Sequence, residues 1–367
     1  MAKIDRMFDE LIANGGSDLH LSIGYPPMLR THGDLVPLRD APVDKAEMDA
    51  LLFEITTAAQ KGKIDGEHDL DFAYAYGDKA RFRANYFHKS TGLAAVFRII
   101  PTKVATLSDL GCPDVIRRLA EKRSGLVLLT GPTGSGKSTT LAAMIDHINE
   151  TRACHVLTVE DPIEFVHEPK KAAVTHREVG VHAATFAAAM RSAGREDPQV
   201  ILVGELRNNE TMLLALQLAN QGILVLATVH TNGAAATIDR IVNSFANEEQ
   251  GQVRGMLAEG LIGVVAQQLV RTKDGKGRVA AHEILVGSSA VSAMIRDGKM
   301  HQIGSVMQGG QGVGMQSMDM ALERLLAQGL IAPESALAVA IDKEAFTKLV
   351  ARTRPDLVDP SQSYGIG

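Results

Sequence analysis

The chain has 367 residues, 45% of them hydrophobic, enough for two domains with sizeable cores. Its net charge of −5 and its 4% aromatic content argue against binding nucleic acid through bulk electrostatics or stacking platforms. Its two cysteines, Cys112 and Cys154, exclude a disulfide framework and a tetracysteine zinc site.

At the N-terminus, residues 4–13 read as an amphipathic helix interrupted by Asp5, Asp9 and Glu10, so no signal peptide is expected. A turn at Gly15-Gly16-Ser17-Asp18 precedes a short strand in which Leu19 and Leu21 alternate around His20. Residues 44–57 read as a helix, with Asp44 at its N-cap and Glu47 three residues on. Strands follow at 71–76, 81–88 and 92–100, split by Gly77-Asp78 and by Ser90-Thr91-Gly92. Residues 1–100 thus form an α+β unit, and 101–111, bounded by Pro and Gly, read as a linker.

From Cys112 the pattern changes to strands alternating with helices. Strand-like runs at 126–130, 155–159, 200–203 and 223–228 enclose helices that include 183–193 and 210–219. Such alternation implies a mostly parallel sheet covered on both faces, with ligand at the carboxyl ends of the strands. Beyond Ala281 the chain reads as mainly helical, with Ser317 capping a helix that carries Leu322, Leu325 and Leu326 on one face. A mobile tail is expected at 354–367. No apolar run approaches the roughly 18 residues a membrane span needs. The longest mild candidate, 260–270, contains Gln267 and Gln268, so the expectation is a soluble, cytoplasmic protein.

The most informative run is Gly131 to Ser138, Gly-Pro-Thr-Gly-Ser-Gly-Lys-Ser, between a strand and a helix. It fits the phosphate-binding loop, with Gly131, Gly136, Lys137 and Ser138 at the fixed positions. Glycines turn the backbone so that several N–H groups face one anion, and the helix N-terminus adds positive potential. Lys137 suits the β- and γ-phosphates of ATP, and the Ser138 hydroxyl suits Mg²⁺. Thr133, Gly134, Ser135 and Thr139 complete the nucleotide cradle. Three further groups follow strand ends: Glu160-Asp161-Pro162-Ile163-Glu164, then Glu205, then His230. Acids there can hold metal and water beside a triphosphate, or simply cap helices. Arg81, Arg83 and Arg98 lie on strands of the first unit, either as solvated strand faces or as arginine fingers.

In this order the motifs resemble the secretion-type ATPases, and within them the type IV pilus retraction ATPases (PilT-like). Residues 15–21 (Gly-Gly-Ser-Asp-Leu-His-Leu), 80–85 (Ala-Arg-Phe-Arg-Ala-Asn) and 96–101 (Val-Phe-Arg-Ile-Ile-Pro) resemble the family's N-terminal signature and its arginine-bearing strands. Residues 160–167 resemble the aspartate box, 195–207 the extended Walker B segment and 228–240 the histidine box. The resemblance implies a PAS-like α+β N-terminal domain (1–100) followed by a RecA-like α/β P-loop ATPase domain (112–367) with a helical C-terminal region at about 281–353. It further implies a homohexamer at the inner face of the cytoplasmic membrane, working on an inner-membrane pilus platform protein, with a paralogous retraction ATPase as a second candidate partner. It gives Glu205 the Walker B position, holding Mg²⁺ directly or through water. Glu164 is the aspartate-box candidate for orienting water, and which of the two glutamates activates it stays open. His230 would sense the γ-phosphate, with Arg83, Arg98 and then Arg81 as finger candidates.

Four departures stand out. Asp197-Pro198-Gln199 replaces the usual Asp-Pro-Asp, Asn208 replaces an aspartate, and Gly194 replaces a leucine. That glycine should loosen a helix end by roughly 1 kcal/mol where the position is helical. Residues 290–297, Ala-Val-Ser-Ala-Met-Ile-Arg-Asp, lack the inner Arg-Asn of the family's Ala-Ile-Arg-Asn-Leu-Ile-Arg-Glu. The leading expectation is therefore a hexameric ATP-hydrolysing motor for pilus retraction and twitching motility. An accessory paralogue, a pilus-assembly or type II secretion ATPase, a poorly hydrolysing scaffold subunit and a nucleic-acid translocase are the alternatives.

Overall fold

The computed structural model describes residues 2–31, 34–77, 79–100 and 104–353. The chain divides into two compact units. One comprises Met1–Lys103 with Pro162–Val166, the other Val104–Asp161 with His167–Gly367.

The first unit opens with α1 (Asp5–Ala13), followed by β1 (Asp18–Ser22), β2 (Met28–Thr31), β3 (Asp34–Pro37), α2 (Lys45–Phe53), α3 (Ala58–Glu67), β4 (Asp69–Tyr76), β5 (Ala80–Lys89) and β6 (Gly92–Ile100). Its six strands form one antiparallel sheet in the order β3-β2-β1-β6-β5-β4. Alternation along β5 buries Ala80, Phe82, Ala84 and Tyr86 and leaves Arg81 and Arg83 on the opposite face. The buried face meets α1, whose Phe8 stacks on Phe82 with centroids 4.1 Å apart and meets Phe97 edge-on at 5.1 Å. The helix expected at 44–57 is shorter. Asp44 caps α2 by accepting from the Glu47 N–H at 2.8 Å, but the helix stops at Phe53. Thr57 then starts α3 with its own capping box, exchanging bonds with Gln60.

The second unit runs α4 (Asp114–Ala120), β7 (Gly125–Thr130), α5 (Lys137–Thr151), β8 (His155–Glu160), β9 (Ala173–Glu178), α6 (Phe186–Ala193), β10 (Val200–Val203), α7 (Asn209–Asn220), β11 (Leu224–Thr228), α8 (Ala234–Asn243), α9 (Asn247–Gly260), β12 (Leu261–Arg271) and β13 (Arg278–Val286). The sheet order is β13-β12-β7-β11-β10-β8-β9, parallel except for β13. Every residue of β7, β10 and β11 is buried, as strands covered on both faces require. Alternate residues of β7 serve two cores. Leu126 and Leu128 pack with α6 to α9, and Val127 and Leu129 with α4 and α5.

The run at 260–270 is β12, and among the described residues no helix is long and apolar enough to cross a membrane. The start expected for the helical region, Ala281, falls inside β13, whose residues 278–286 pair with 263–271 of β12, and the first helix begins at Ser289. Helices α10 (Ser289–Arg296), α11 (Ile303–Gly309), α12 (Met318–Ala327), α13 (Pro333–Val339) and α14 (Lys343–Thr353) follow. Ser317 caps α12 by accepting from the Met320 N–H. Leu322 and Leu326 of α12 bury against Val270 and Ala281, while Leu325 is only partly buried.

Of the expected linker, 101–103 lie outside the described residues. In the remainder Thr106 and Asp109 bond each other's backbone N–H, and Leu107 packs into the core under α4 and α5. The expected mobile tail, 354–367, also lies outside the described residues. Both thiols are free. Burial pushes the Cys112 thiol up to about 11 and raises that of Cys154.

Candidate active site

The loop between β7 and α5 is shaped by three glycines with positive φ: Gly131 at 137°, Gly134 at 78° and Gly136 at 84°. Side chains at the first and last would collide with β12. A Cβ on Gly131 would lie 2.2 Å from the Gln267 carbonyl oxygen, and one on Gly136 2.9 Å from Gln267 Nε2. Gly136 also stands at the N-cap of α5, where no side chain occupies the helix's first N–H groups. Lys137 is buried and donates to the carbonyls of Gly131 and Pro132 at 2.8 and 3.0 Å, folding its ammonium into the loop. The Ser135 hydroxyl is buried without a hydrogen-bond partner. Thr133 and Gly134 are exposed, and Ser138 and Thr139 half-buried on the first turn of α5. An ammonium, open helix N–H groups, a spare buried hydroxyl and a cradle that only glycine permits fit a nucleotide phosphate chain.

Among the described residues no three His, Cys, Asp or Glu side chains come together as a metal cage.

Glu205 and His230 come together. Glu205 follows β10, and its Oε1 lies 3.3 Å from His230 Nε2. Its Oε2 accepts from Arg207 Nε at 2.9 Å, and Arg207 Nη1 lies 3.8 Å from Asp161 Oδ2. Backbone bonds set the two loops: Leu206 N–H donates to Thr228 O at 2.9 Å, and Gly204 N–H to Val159 O at 2.8 Å. A small open cavity here is lined by Glu205, Arg207, His230, Thr231, Thr237 and Arg240.

A hydroxyl chain joins this loop to the end of β7. Thr231 N–H donates to Thr130 Oγ1 at 2.9 Å, Thr130 Oγ1 donates to Thr231 O at 2.6 Å, and Thr231 Oγ1 lies 2.6 Å from Thr237 Oγ1. Buried Glu283 of β13 accepts from Ala234 N–H, the first of α8, at 2.6 Å. Burial raises its pKa, against the opposing hydrogen bonds from the backbone at Ala234 and Met318. Sequence reasoning missed Glu283 and the threonines as parts of the site, and took Gln267 only as a polar interruption. A polar side chain inside an otherwise apolar strand was the available signal, since a buried polar group needs a partner.

Glu164 is half-buried in Pro162–Val166, the stretch that belongs to the first unit. The arginines lie in that unit as well. Arg83 and Arg98 are directly opposite on β5 and β6, and Arg98 is directly opposite Asp18 on β1, so all three share one face. Arg83 pairs with Asp71 at 2.6 Å and Arg98 Nε with Asp18 at 2.7 Å. Arg81, two residues before Arg83, shares that face and is half-buried.

The departures have local accounts. Asn208 caps α7, accepting from Thr211 N–H at 2.9 Å, a position where Asn serves as well as Asp. Gln199 uses both ends of its amide, accepting from His155 N–H at 2.8 Å and donating to Asp197 O at 3.0 Å, and an aspartate could not donate. Gly194 is the C-cap of α6, outside the helix body, where flexibility costs little. Ser292 Oγ donates to Ala258 O at 2.6 Å, tying α10 to α9.

A phosphate loop between β7 and α5 of a parallel sheet, with an acid and a histidine at neighbouring strand ends, defines a P-loop ATPase. The profile of the Type II/IV secretion system proteins matches residues 2–313, and the chain belongs to that family. It is 49% identical over 332 residues to the Type IV pilus retractation ATPase PilT of Pseudomonas aeruginosa, covering 90% of this chain and 96% of that one. To the Twitching motility protein of Neisseria gonorrhoeae it is 49% identical over 321 residues, covering 88% and 86%. Among solved structures, that of the pilus retraction motor PilT with bound ADP superimposes with a TM-score of 0.88 at 40% identity, covering 95% of this chain and all of that one.

Proposed function

We propose that this chain hydrolyses ATP to power retraction of a type IV pilus, and hence twitching motility. The observation that carries the reading is the joined site. The phosphate loop and the Glu205–His230 pair are held together by the Thr130–Thr231 bonds, in a chain about half identical to a retraction ATPase over nearly its full length.

In this reading Lys137 neutralises the β- and γ-phosphates and Ser138 holds Mg²⁺. Glu205 orients water or a magnesium-bound water. His230, on the adjoining loop, responds to the γ-phosphate. Because Glu205 Oε1 already faces His230, a change at one is felt by the other through a single contact. Glu164 is the second candidate for the water, and Arg83, Arg98 and Arg81 are candidates for steadying transition-state charge. The Arg83–Asp71 pair is exposed and costs little to break, whereas Arg98 holds the buried Asp18 and is the costlier of the two to release. The working form is a homohexamer in the cytoplasm against a membrane platform protein.

The test is a count of surface pili in cells lacking this protein, restored with wild type or with Glu205→Gln. Excess, non-retracting pili rescued only by wild type support the reading. Loss of pili points to assembly, and an unchanged count to an accessory role, which the altered α10 segment at 290–297 would then explain.

A further inference from the structure

Gln267 lies on β12, outside every nucleotide-binding motif, and is 2% exposed. Both ends of its amide are used. Nε2 donates to the Ser135 carbonyl at 2.8 Å, and Oε1 accepts from Thr140 Oγ1 at 2.8 Å. Ser135 belongs to the phosphate loop and Thr140 to the first turn of α5, two residues beyond Ser138. One side chain therefore clamps the junction of loop and helix from the strand behind it.

The peptide geometry gives that clamp a direction. The Ser135 carbonyl and the Gly136 N–H belong to one planar trans unit and point opposite ways. Drawing the carbonyl towards β12 turns the Gly136 N–H away from β12. Gly136 could otherwise rotate, since it sits at a φ that glycine adopts freely. The contact is also close-fitting, because the Gln267 amide leaves no room for a Cβ at Gly136 and its backbone carbonyl none at Gly131. The two glycines thus serve the strand as much as the phosphate.

We propose that Gln267 is a positioning residue for nucleotide: it fixes the Ser135–Gly136 peptide and the first turn of α5, so that the loop N–H groups face the phosphates before nucleotide arrives. Such preorganisation lowers the ordering cost of binding. The proposal rests on the loop's binding ATP, as read above.

The test uses the full-length protein. Mg–ADP affinity is measured by calorimetry, KM and kcat by steady-state hydrolysis, and thermal unfolding without nucleotide. Gln267→Met keeps length and burial but removes both bonds. Gln267→Glu keeps the acceptor for Thr140 and sets a carboxylate against the Ser135 carbonyl. Thr140→Val removes one bond only. Gln267→Met is expected to weaken Mg–ADP binding and raise KM about tenfold, with kcat within about twofold. Its nucleotide-free unfolding temperature should stay close to wild type. Thr140→Val should lose about threefold alone and nothing further in the Gln267→Met background. Gln267→Glu should lose at least as much as Gln267→Met. Unchanged affinity in folded Gln267→Met, or a loss of nucleotide-free stability with KM unaltered, would overturn the proposal and leave a structural side chain. If Gln267→Met does not fold, Thr140→Val decides alone, its threefold loss supporting the clamp and its absence refuting it. Wild-type protein that binds no Mg–ADP would instead refute the ATP reading on which the proposal rests.

Discussion

Lys137 illustrates how the site holds a cation in place. Its ammonium donates to the carbonyls of Gly131 and Pro132, so the charge is solvated by the loop itself. A phosphate chain entering the loop would compete for those bonds with a full anionic charge, which the ammonium prefers. Lys137→Ala should therefore abolish nucleotide binding, as read by calorimetry with Mg–ADP. Glu205→Gln should behave differently. An amide fits where the carboxylate now lies between Arg207 and His230, so binding should persist while kcat falls by about 10²–10⁴. Near-normal turnover by that variant would transfer the role to Glu164. The loop, Glu205 and His230 could be picked out from the sequence because each follows an apolar strand at a fixed place. Gln267 and Glu283 stand out only as polar residues in apolar runs, and what they bond could not be read, since their partners lie 132 and 49 residues away along the chain. Local sequence does not record such pairings.

At the scale of elements, the caps are where sequence and stability meet most directly. Asn208→Ala removes the acceptor for Thr211 N–H at the start of α7 and should cost about 1 kcal/mol in urea unfolding. Phe8→Ala should cost about 3–5 kcal/mol, because α1 loses its stack on Phe82 and the edge contact with Phe97. The parallel strands were legible as short apolar runs, and the long helices as periodic ones. What escaped was fixed by neighbours rather than by local pattern. The hairpin of β12 and β13 reads as an apolar run and then as the start of a helix, and it becomes sheet by pairing along 263–271 and 278–286 and by β12 pairing with β7. β3 has no buried residue to mark it, and exists because β2 offers an edge. The single helix expected at 44–57 ends early because a capping box at Thr57 competes for the same stretch.

For the whole molecule, burial makes stability depend on pH. It pushes both His167 and His282 down to about 4, so both imidazoles stay neutral in the folded chain. Unfolded, they would titrate near 6.5, the ordinary histidine value. Between those limits the unfolded chain binds more protons, so stability rises with pH and is lost as pH falls from about 6.5 towards 4. Each histidine adds a slope of up to roughly 1.4 kcal/mol per pH unit. Glu283 acts oppositely: its raised pKa means the folded chain keeps a proton longer, a contribution lost as pH rises above 4.5. Two histidines outweigh one glutamate, so the net trend over pH 4.5–6.5 should be upward. His282→Leu should flatten it by up to about 1.4 kcal/mol per pH unit in urea titrations.

The two thiols carry a practical consequence. Because partial burial raises both the Cys112 and the Cys154 thiol, thiol-directed reagents should alkylate a fully exposed cysteine faster than either. A single cysteine introduced at exposed Val181, away from the phosphate loop, would then accept a dye in preference to either. Distances within the working assembly could be followed by fluorescence without first stripping the protein of its own sulfur.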